Sequence, residues 1–355
     1  MRVREAKFKD FINISKLQSR HKLKSILNYK YKIITNYLFF SKKNPMGWVL
    51  VDKGVIRGFV GNFVKKYSFR KKYFFCSSIN SLVVDKKYRQ NTYLLLRKYF
   101  DQKKVSFYLN STPNDSTYKI WKKLGANEIP QTTIQKKLLY ILKTENIINS
   151  YLLKKKFFVP SFIIKITTKI INFIFFKSKN NKNNSNLDFI ELNKFDSKVK
   201  FFLKKNLEKN KLFLCRDKLW FKMNYNKKDK KKSFIFLILK KKEIVGLISL
   251  IENNNDSINL KRLEIADFII HEKEKIFFGN IIKKIFLDIR FKRYDVIEAQ
   301  GFSEKKFNIL KNIFDIEIKL NSFPFLYKSK DKKFNKILEN SKIWDLSLID
   351  GDNLI

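Results

Sequence analysis

The chain has 355 residues, which is enough for about two domains of ordinary size and excludes a peptide-like or purely fibrous protein. Hydrophobic residues make up 44% and aromatic residues 15%, too much apolar material for a disordered chain even with 31% charged residues. Lysine and arginine total 77 against 32 aspartates and glutamates, and a net charge of +45 would suit an anionic partner. Because Lys, Asn, Ile and Phe all have A/T-rich codons, codon bias accounts for much of this excess, and we do not expect nucleic acid as a partner.

The residues that bind metals or form disulfides are few. Cys76 and Cys215 lie far apart in apolar stretches, so neither a disulfide framework nor a zinc knuckle is expected. His21 and His271 are the only histidines and are isolated in sequence, which argues against a histidine-based triad and against any metal site. The first ten residues lack the apolar segment of a secretory signal, and the chain is therefore predicted to be cytoplasmic.

The first 145 residues alternate strand-like and helix-like patterns. Strands are predicted at 3–7, 48–52, 55–64, 74–84, 105–109 and 132–142, and helices at 10–27, 91–101 and 114–124. Lys53 and Gly54 between the second and third strands are typical of a hairpin turn. This order predicts an α/β domain of the α+β type, built on a mixed sheet.

The middle of the chain predicts one unusual helix. Residues 157–176 are strongly apolar, but Ser161, Lys165, Lys169 and Asn172 recur at spacings of four, four and three and form one polar stripe. Two lysines near the bilayer centre would cost about 3 kcal/mol each, so an amphipathic helix is favoured over a spanning one. Such a helix either packs its apolar face on the domains and bridges them, or rests on a membrane surface.

The second half repeats the order of the first. Strands are predicted at 188–192, 234–239, 244–251, 263–270 and 296–299, with a closing strand pair in 316–327, and helices at 196–209, 276–291 and 304–314. The polar run NNKNNSN at 180–186 is typical of a linker. We therefore predict two copies of one architecture, at 1–150 and 187–355, joined by the helix and linker of 151–186.

A strand that ends at Leu82, Val83 and Val84 leads into the basic loop KKYRQ and then into a helix. With the later segment from Val105 to Ala126, it resembles the GNAT superfamily of acyl-CoA-dependent acyltransferases. In that family a strand leads into R/Q-x-x-G-x-G/A at a helix start. The free backbone N–H groups and the positive end of the helix dipole hold the pyrophosphate of coenzyme A there.

The resemblance implies that the first half binds acetyl-CoA or another acyl-CoA as co-substrate. The backbone near Leu82, Val83 and Val84 would position the pantetheine and the acyl carbonyl. The residues implied at the pyrophosphate are Arg89, Gln90, Asn91, Thr92 and Tyr93. Gln90 and Thr92 stand where the family prefers glycine, and their side chains are expected to crowd the phosphates.

A second motif of the same family, N-x-x-A/S-x-x-x-Y-x-x-x-G-F, is matched in spacing. Asn114 lies seven residues before Trp121 and Gly125 four after it, which places Asn114 among the cofactor-binding residues. In the family the position of Trp121 is usually a tyrosine that protonates the departing thiolate, and an indole N–H lacks the acidity for this. Tyr118, one turn earlier, is the candidate substitute, with a packing role as the alternative. The strand at 74–84 offers no carboxylate as base.

The second half keeps the shape without the motif. Its strand at 263–270 runs into HEKEKIFFGN, where Glu272 and Glu274 would repel a phosphate. We therefore expect no coenzyme A there. Asp350 and Asp352 near the end of the chain are expected to be solvated rather than metal ligands.

Three further segments, at 217–226, 322–329 and 344–353, resemble the second domain of tandem GNAT-like proteins associated with bacterial surface-polysaccharide synthesis. The resemblance implies an acyl-CoA-dependent acyltransferase, of N-acetyl or N-acyl type, that acts on an amino or hydroxy sugar of a cell-surface glycan precursor. The first half would carry coenzyme A and the second would contact the acceptor. Two alternatives remain open: a Fem-type aminoacyl-tRNA-dependent transferase and a non-catalytic tandem GNAT-like binding module. The protein would be cytoplasmic, with peripheral contact to the anionic inner membrane face as a further expectation.

Overall fold

The computed structural model describes residues 1–23, 25–40, 44–176, 187–206, 208, 210–225 and 233–351. The predicted polar linker at 180–186 lies outside these described residues.

The strands cover most of the predicted strand positions. In chain order they are β1 Arg2–Glu5, β2 Gly47–Asp52, β3 Val55–Phe69, β4 Lys72–Val84, β5 Phe107–Asn110, β6 Asn127–Glu128, β7 Lys136–Ile141, β8 Leu187–Glu191, β9 Leu212–Leu214, β10 Ser233–Lys240, β11 Glu243–Glu252, β12 Arg262–Ile270, β13 Val296–Gln300, β14 Ile316–Lys319, β15 Leu326–Ser329 and β16 Trp344–Asp345.

The helices include several that the sequence analysis missed. In chain order they are α1 Phe11–Arg20, α2 Lys30–Phe40, α3 Thr92–Phe100, α4 Asp115–Lys123, α5 Thr144–Lys155, α6 Ser161–Phe176, α7 Ser197–Lys205, α8 Lys218–Asn224, α9 Phe278–Phe286, α10 Glu304–Lys311 and α11 Lys332–Leu338. Short 3-10 helices precede two of them: Lys86–Asn91 runs into α3, and Glu272–Phe277 runs into α9.

The chain forms two compact units. Unit 1 comprises Met1–Gln131, Glu208–Asn224 and Ser322–Ile355, and unit 2 comprises Thr132–Leu207 and Tyr225–Asn321. The units thus do not follow the predicted sequential division at 150 and 187. The reason is that each half of the chain contributes strands to the sheet built mainly by the other half.

The sheet of unit 1 has the order β1-β2-β3-β4-β5-β15-β6, with β9 added to β3 and β16 to β9. Both of its faces are covered. Trp48 and Leu50 of β2 pack in one apolar cluster with α3 and α4, whereas Val49 and Val51 pack in another with α1 and α2. This period of two follows from the alternating direction of side chains along a strand, and it explains why β2 is apolar at every central position.

The sheet of unit 2 has the order β14-β7-β13-β12-β11-β10-β8. Its core joins the inner residues of β10, β11 and β12 to the buried stripe of α9 and to α10. The α9 stripe consists of Phe278, Ile281, Ile282 and Ile285, the spacing of one helical face.

The two closing strands predicted in 316–327 exist, but they are not partners. Ile316–Lys319 pairs with β7 in the sheet of unit 2, whereas Leu326–Ser329 inserts between β5 and β6 in the sheet of unit 1. The last predicted strand of the first half, at 132–142, is likewise β7 of unit 2 and pairs with β13. A strand pattern in the sequence identifies a strand but not its neighbour.

Near its end, the central strand β4 of unit 1 carries a bulge. Opposite β3, Leu82 pairs with Val60 and Asn80 pairs with Gly61, so Ser81 is the extra residue, with a positive φ of 58°. Gly61 is required because a Cβ there would lie 2.1 Å from the carbonyl oxygen of Asn80. The buried side chain of Gln18 in α1 donates to Ser81 Oγ at 3.1 Å and thereby fixes the bulge.

The C-terminal segment of unit 1 is buried, contrary to the expectation that Asp350 is solvated. The ammonium group of Lys65 donates to the carbonyl oxygens of Ile349, Asp350 and Gly351 at 2.7–3.0 Å. The Asp350 carboxylate accepts from Tyr67 Oη at 2.6 Å and also from Ser347. A carboxylate that is buried with these donors is a structural cap, because burying it without partners would be costly. Asp352 lies outside the described residues.

The predicted amphipathic helix at 157–176 begins at Ser161 as α6, and α5 precedes it. The expectation that its apolar face packs on the domains is not met, since Ile164 is the only residue of Ser161–Phe173 that is fully buried. No helix in the described part of the chain is long and apolar enough to cross a membrane.

We predict that Gly61→Ala destabilises the protein by about 1–3 kcal/mol, the usual cost of overpacking, because the new Cβ collides with the backbone of the bulge and not with a movable side chain. The free energy of unfolding in urea measures this. The control is Gly279→Ala in α9, where the nearest atom to the new Cβ is a side-chain carbon of Ile313 at 3.3 Å. Equal stability of the two variants would show that the bulge does not require glycine.

Candidate functional site

A cleft of unit 1 borders the end of β4. β4 and β5 pair only from Cys76 to Ser78 against Phe107 to Leu109, and β4 continues to Val84 beyond the end of β5 at Asn110. The cleft that borders the end of β4 has a volume of about 430 Å³. Its lining residues come from the α1 terminus, the end of β4 and the starts of α3 and α4: His21, Leu23, Leu82, Val83, Val84, Arg89, Thr92, Asn114, Ser116, Thr117 and Ile120.

The structure brings together six of the nine cofactor-binding residues that were predicted from the sequence. Those that line the cleft are Leu82, Val83, Val84, Arg89, Thr92 and Asn114. Gln90, Asn91 and Tyr93 are not among its lining residues, and Gln90 and Tyr93 are exposed. Two segments about 25 residues apart in sequence therefore meet at one cleft, as the two motifs together imply.

The basic loop KKYRQ is not an open loop. Lys86–Asn91 forms a 3-10 helix, in which Tyr88 N–H donates to the carbonyl of Asp85 at 2.8 Å. Thr92 donates both its backbone N–H and its hydroxyl to the carbonyl of Arg89. These bonds use backbone donors that an open helix start would offer to a phosphate. Of the residues that line the cleft, Arg89 is the one with a permanent positive charge.

Helix α4 is fixed at its start by Asn114, whose side-chain oxygen accepts from Thr117 N–H at 2.9 Å. This N-cap is the reason that an asparagine stands here. Trp121 of the same helix is fully buried against Tyr99 and Phe100. Its indole N–H has no hydrogen-bond partner within the described residues, and Trp121 is thus a core residue without access to the cleft.

Tyr118, the candidate proton donor, does not line the cleft. Its ring stacks on Phe323 at 4.8 Å and its hydroxyl donates to a carboxylate oxygen of Glu128. The hydrogen bond to Glu128, followed by burial, raises the pKa of Tyr118 above its ordinary value. Both its position and its weaker acidity favour the packing role over the catalytic one.

His21, which the sequence analysis set aside, lines the cleft at the end of α1. Its Nε2 lies 3.2 Å from Asp85 Oδ1, and Asp85 also bonds Arg20 at 3.1 Å and lies 3.6 Å from Arg57. Burial opposes ionisation of Asp85, but the hydrogen bonds from His21 and Arg20 outweigh it and lower the pKa of this carboxyl. The carboxylate therefore holds the imidazole in place at the wall of the cleft. Because 64 residues separate His21 from Asp85, no motif in the sequence indicates the pair.

The cysteines are unsuited to act as nucleophiles. Burial raises the pKa of the Cys76 thiol, and it raises the pKa of Cys215 to about 12. Because the thiolate is the reactive form, both remain inert near neutral pH. Among the described residues, no three His, Cys, Asp or Glu side chains are grouped to hold a metal ion.

Unit 2 repeats the strand geometry of unit 1. β12 and β13 are parallel and pair only from Arg262 to Glu264, and β12 has its own bulge at Ala266. Beyond this point the ring of Phe268 packs 4.8 Å from Phe278 and 5.7 Å from Phe302. Buried aromatic side chains thus pack together near the end of β12 and the start of α9.

The acidic residues of unit 2 are internally paired. Glu274 is buried and accepts from Lys240 at 2.8 Å, and Glu272 bonds Lys275 and lies 3.6 Å from Lys305. When the two 3-10 helices are aligned, Glu272 stands at the position of Lys86 and Glu274 at that of Tyr88, whereas Lys275 stands at that of Arg89.

Comparison with solved structures shows which fold this is. The chain superposes on a GCN5-related N-acetyltransferase from Anabaena variabilis with a TM-score of 0.59 at 9% identity, covering 93% of this chain and 73% of that one. It superposes on the Kribbella flavida GCN5-related N-acetyltransferase with a TM-score of 0.55 at 9% identity, covering 92% and 71%. The Saccharomyces cerevisiae N-myristoyltransferase with bound myristoyl-CoA matches with a TM-score of 0.53 at 12% identity, covering 92% and 78%. No protein-family model and no curated protein matches the sequence.

These superpositions identify the fold of the chain. The protein has the mixed α/β fold of the GNAT acyltransferases over nearly its whole length, and the predicted fold class is confirmed.

We predict that Arg89→Ala weakens the binding of acetyl-CoA by roughly 1–3 kcal/mol, about 10- to 100-fold in Kd, because it removes the permanent cation of the cleft wall. Titration calorimetry with acetyl-CoA measures the effect. Arg97→Ala is the matched control, since Arg97 is exposed on α3 and does not line the cleft. An unchanged Kd for acetyl-CoA in Arg89→Ala would show that Arg89 does not bind the phosphates.

Proposed function

We propose that the protein is an acyl-CoA-dependent acyltransferase whose active site is the cleft of unit 1. The observation that carries this proposal is the cleft itself. It borders the end of β4, beyond the three residues that pair with β5, and its walls contain residues of both segments that resemble the GNAT motifs. The apolar stretch Leu82 to Val84 suits the pantetheine arm, and Arg89 suits the pyrophosphate.

The chemistry is direct transfer. The nitrogen or oxygen of the acceptor attacks the thioester carbonyl, a C–N or C–O bond forms, the C–S bond breaks, and coenzyme A leaves as a thiolate that is then protonated. His21 receives the proton of the attacking group, and Asp85 holds its imidazole in position. Inert cysteines are consistent with this route, because no acyl-enzyme is needed.

The acceptor that we propose is an amino or hydroxy sugar of a cell-surface glycan precursor, modified in the cytoplasm. The support is the resemblance of three segments of the second half to tandem proteins of surface-polysaccharide synthesis. We infer that unit 2 binds no coenzyme A, because the buried rings of Phe268, Phe278 and Phe302 pack together beyond the paired part of β12 and β13. A fold that retains its core while losing one ligand site is free to contact another ligand.

Thermal unfolding with candidate ligands tests the co-substrate. Acetyl-CoA at about 100 times its Kd should stabilise the protein by about 2.7 kcal/mol, and tRNA at equal mass should not. Arg89→Ala should reduce the stabilisation at the same ligand concentration. Stabilisation by tRNA alone would favour the aminoacyl-tRNA-dependent alternative, and stabilisation by neither ligand would favour a non-catalytic binding module.

His21→Gln tests the proposed base. Glutamine keeps a hydrogen-bond donor for Asp85 but accepts no proton, so we expect the transfer rate to fall about 10²- to 10⁴-fold while the Kd of acetyl-CoA stays within a factor of about three. Stopped assays with an amino-sugar acceptor measure the rate. The control is Arg20→Gln. Arg20 is an exposed partner of Asp85 that does not line the cleft, so turnover of this variant should stay near the parent value. Equal losses in the two variants would make His21 a structural partner of Asp85 and not the base.

A further inference from the structure

The helical hairpin α5–α6 of unit 2 presents an apolar stripe to solvent. Phe162, Ile166 and Ile170 are four residues apart and therefore share one face of α6, and they are 62%, 55% and 54% exposed. The turn of the hairpin adds Phe157 and Phe158, of which Phe158 is 96% exposed. Exposed apolar residues at this density mark an interaction surface and not ordinary solvent-facing helix.

The opposite side of α6 is the one that packs within the unit. Ile164 is buried there, and Asn172 accepts a hydrogen bond from Thr144 Oγ of α5 at 2.6 Å. Asn172, a member of the predicted polar stripe, is exposed and joins α6 to α5 through this bond. The apolar stripe of α6 faces away from its own unit, which is why it is exposed.

The charges beside the turn and along α6 are positive. Residues 146–176 contain Lys154, Lys155, Lys156, Lys165 and Lys169 and no aspartate or glutamate, and Glu145 in the first turn of α5 is the one acidic residue of the hairpin. All five lysines are exposed. Lys154 to Lys156 lie at the turn beside Phe157 and Phe158, and Lys165 and Lys169 flank the stripe on α6. Apolar rings between lysines complement a surface that is apolar below a layer of negative charge.

We propose that the α5–α6 hairpin docks unit 2 onto an anionic lipid bilayer, with α6 lying in the interface and the turn at Phe157–Phe158 inserted between the headgroups. The flanking lysines exclude a spanning arrangement, and they contact the lipid phosphates. This goes beyond the proposed acyl transfer and does not depend on it, because no residue of the hairpin lines the cleft.

Sedimentation of the full-length protein with vesicles tests the docking. Vesicles of equal parts phosphatidylglycerol and phosphatidylcholine should bind the protein at low salt, those of phosphatidylcholine alone should bind it weakly, and about 1 M salt should release it because the Debye length falls to about 3 Å. Replacing Lys154, Lys155 and Lys156 together by Gln should lower the partition coefficient about 100-fold, since each basic residue near anionic lipid contributes about fivefold.

Matched controls distinguish binding through this surface from nonspecific adsorption to the vesicles. Neutralising Lys241, Lys242 and Lys273, three exposed lysines elsewhere in unit 2, should change the partition coefficient by less than about fivefold. Phe158→Ser combined with Phe162→Ser should weaken binding at least about tenfold, whereas Phe201→Ser combined with Leu287→Ser, at equally exposed positions outside the hairpin, should not. All variants should keep the thermal stabilisation by acetyl-CoA, so that loss of docking is distinguishable from failure of the acyl-transfer proposal.

A tryptophan reporter shows insertion directly. The four native tryptophans are buried, so Phe158→Trp adds the one exposed indole, and its fluorescence should shift to the blue on anionic vesicles and be quenched by brominated lipid. Phe201→Trp is the control and should not respond. Protein that stays in the supernatant at low salt with a silent reporter overturns the proposal. So does self-association through the hairpin without vesicle binding, which would assign the face to a second copy of the chain.

Discussion

The cleft of unit 1 depends on one constraint, the extension of β4 to Val84 beyond its three pairs with β5. The bulge at Ser81 ends the regular course of β4, Gly61 leaves room for it, and Gln18 holds it from α1. Because parallel strands that separate leave a gap at their carboxyl ends, the helices that follow them, α3 and α4, direct their starts into one space. The cleft thus follows from backbone geometry, and the individual side chains adapt it to a ligand.

Unit 2 shows that this geometry is not sufficient for a site. It has the same parallel strand pair, a bulge at Ala266 and a 3-10 helix before α9, yet the rings of Phe268, Phe278 and Phe302 pack together beyond the bulge. Burying these aromatic rings stabilises the unit by the hydrophobic effect. The two units therefore share strand geometry and differ in the side chains at the end of the paired strands, which is the level at which function is decided.

The large positive charge becomes informative only when the surroundings of individual basic side chains are known. A net charge of +45 does not by itself identify a partner, since the 77 lysines and arginines are distributed along the whole chain. The structure distinguishes single cations by their neighbours. Arg89 stands on the wall of the cleft, Lys65 is buried against three carbonyl groups of the C-terminal segment, and Lys154 to Lys156 lie beside exposed phenylalanines. Each setting supports a different role for a positive side chain.

The sequence by itself determined most of the strands, seven of the eleven described helices, the hairpin at Lys53-Gly54 and the two motif segments, because apolar periodicity and turn residues act over a few positions of the chain. It missed α2, α5, α8 and α11. It did not reveal the exchange of β7 and β15, the pairing of His21 with Asp85, the turn of Tyr118 toward Glu128 or the burial of Asp350. These features are contacts between residues that are distant in sequence, and a local sequence pattern does not show which distant residues meet. Only the packing of complete sheets and helices decides which strand edges meet and which polar groups lose water, and that packing also turned the apolar stripe of α6 outward.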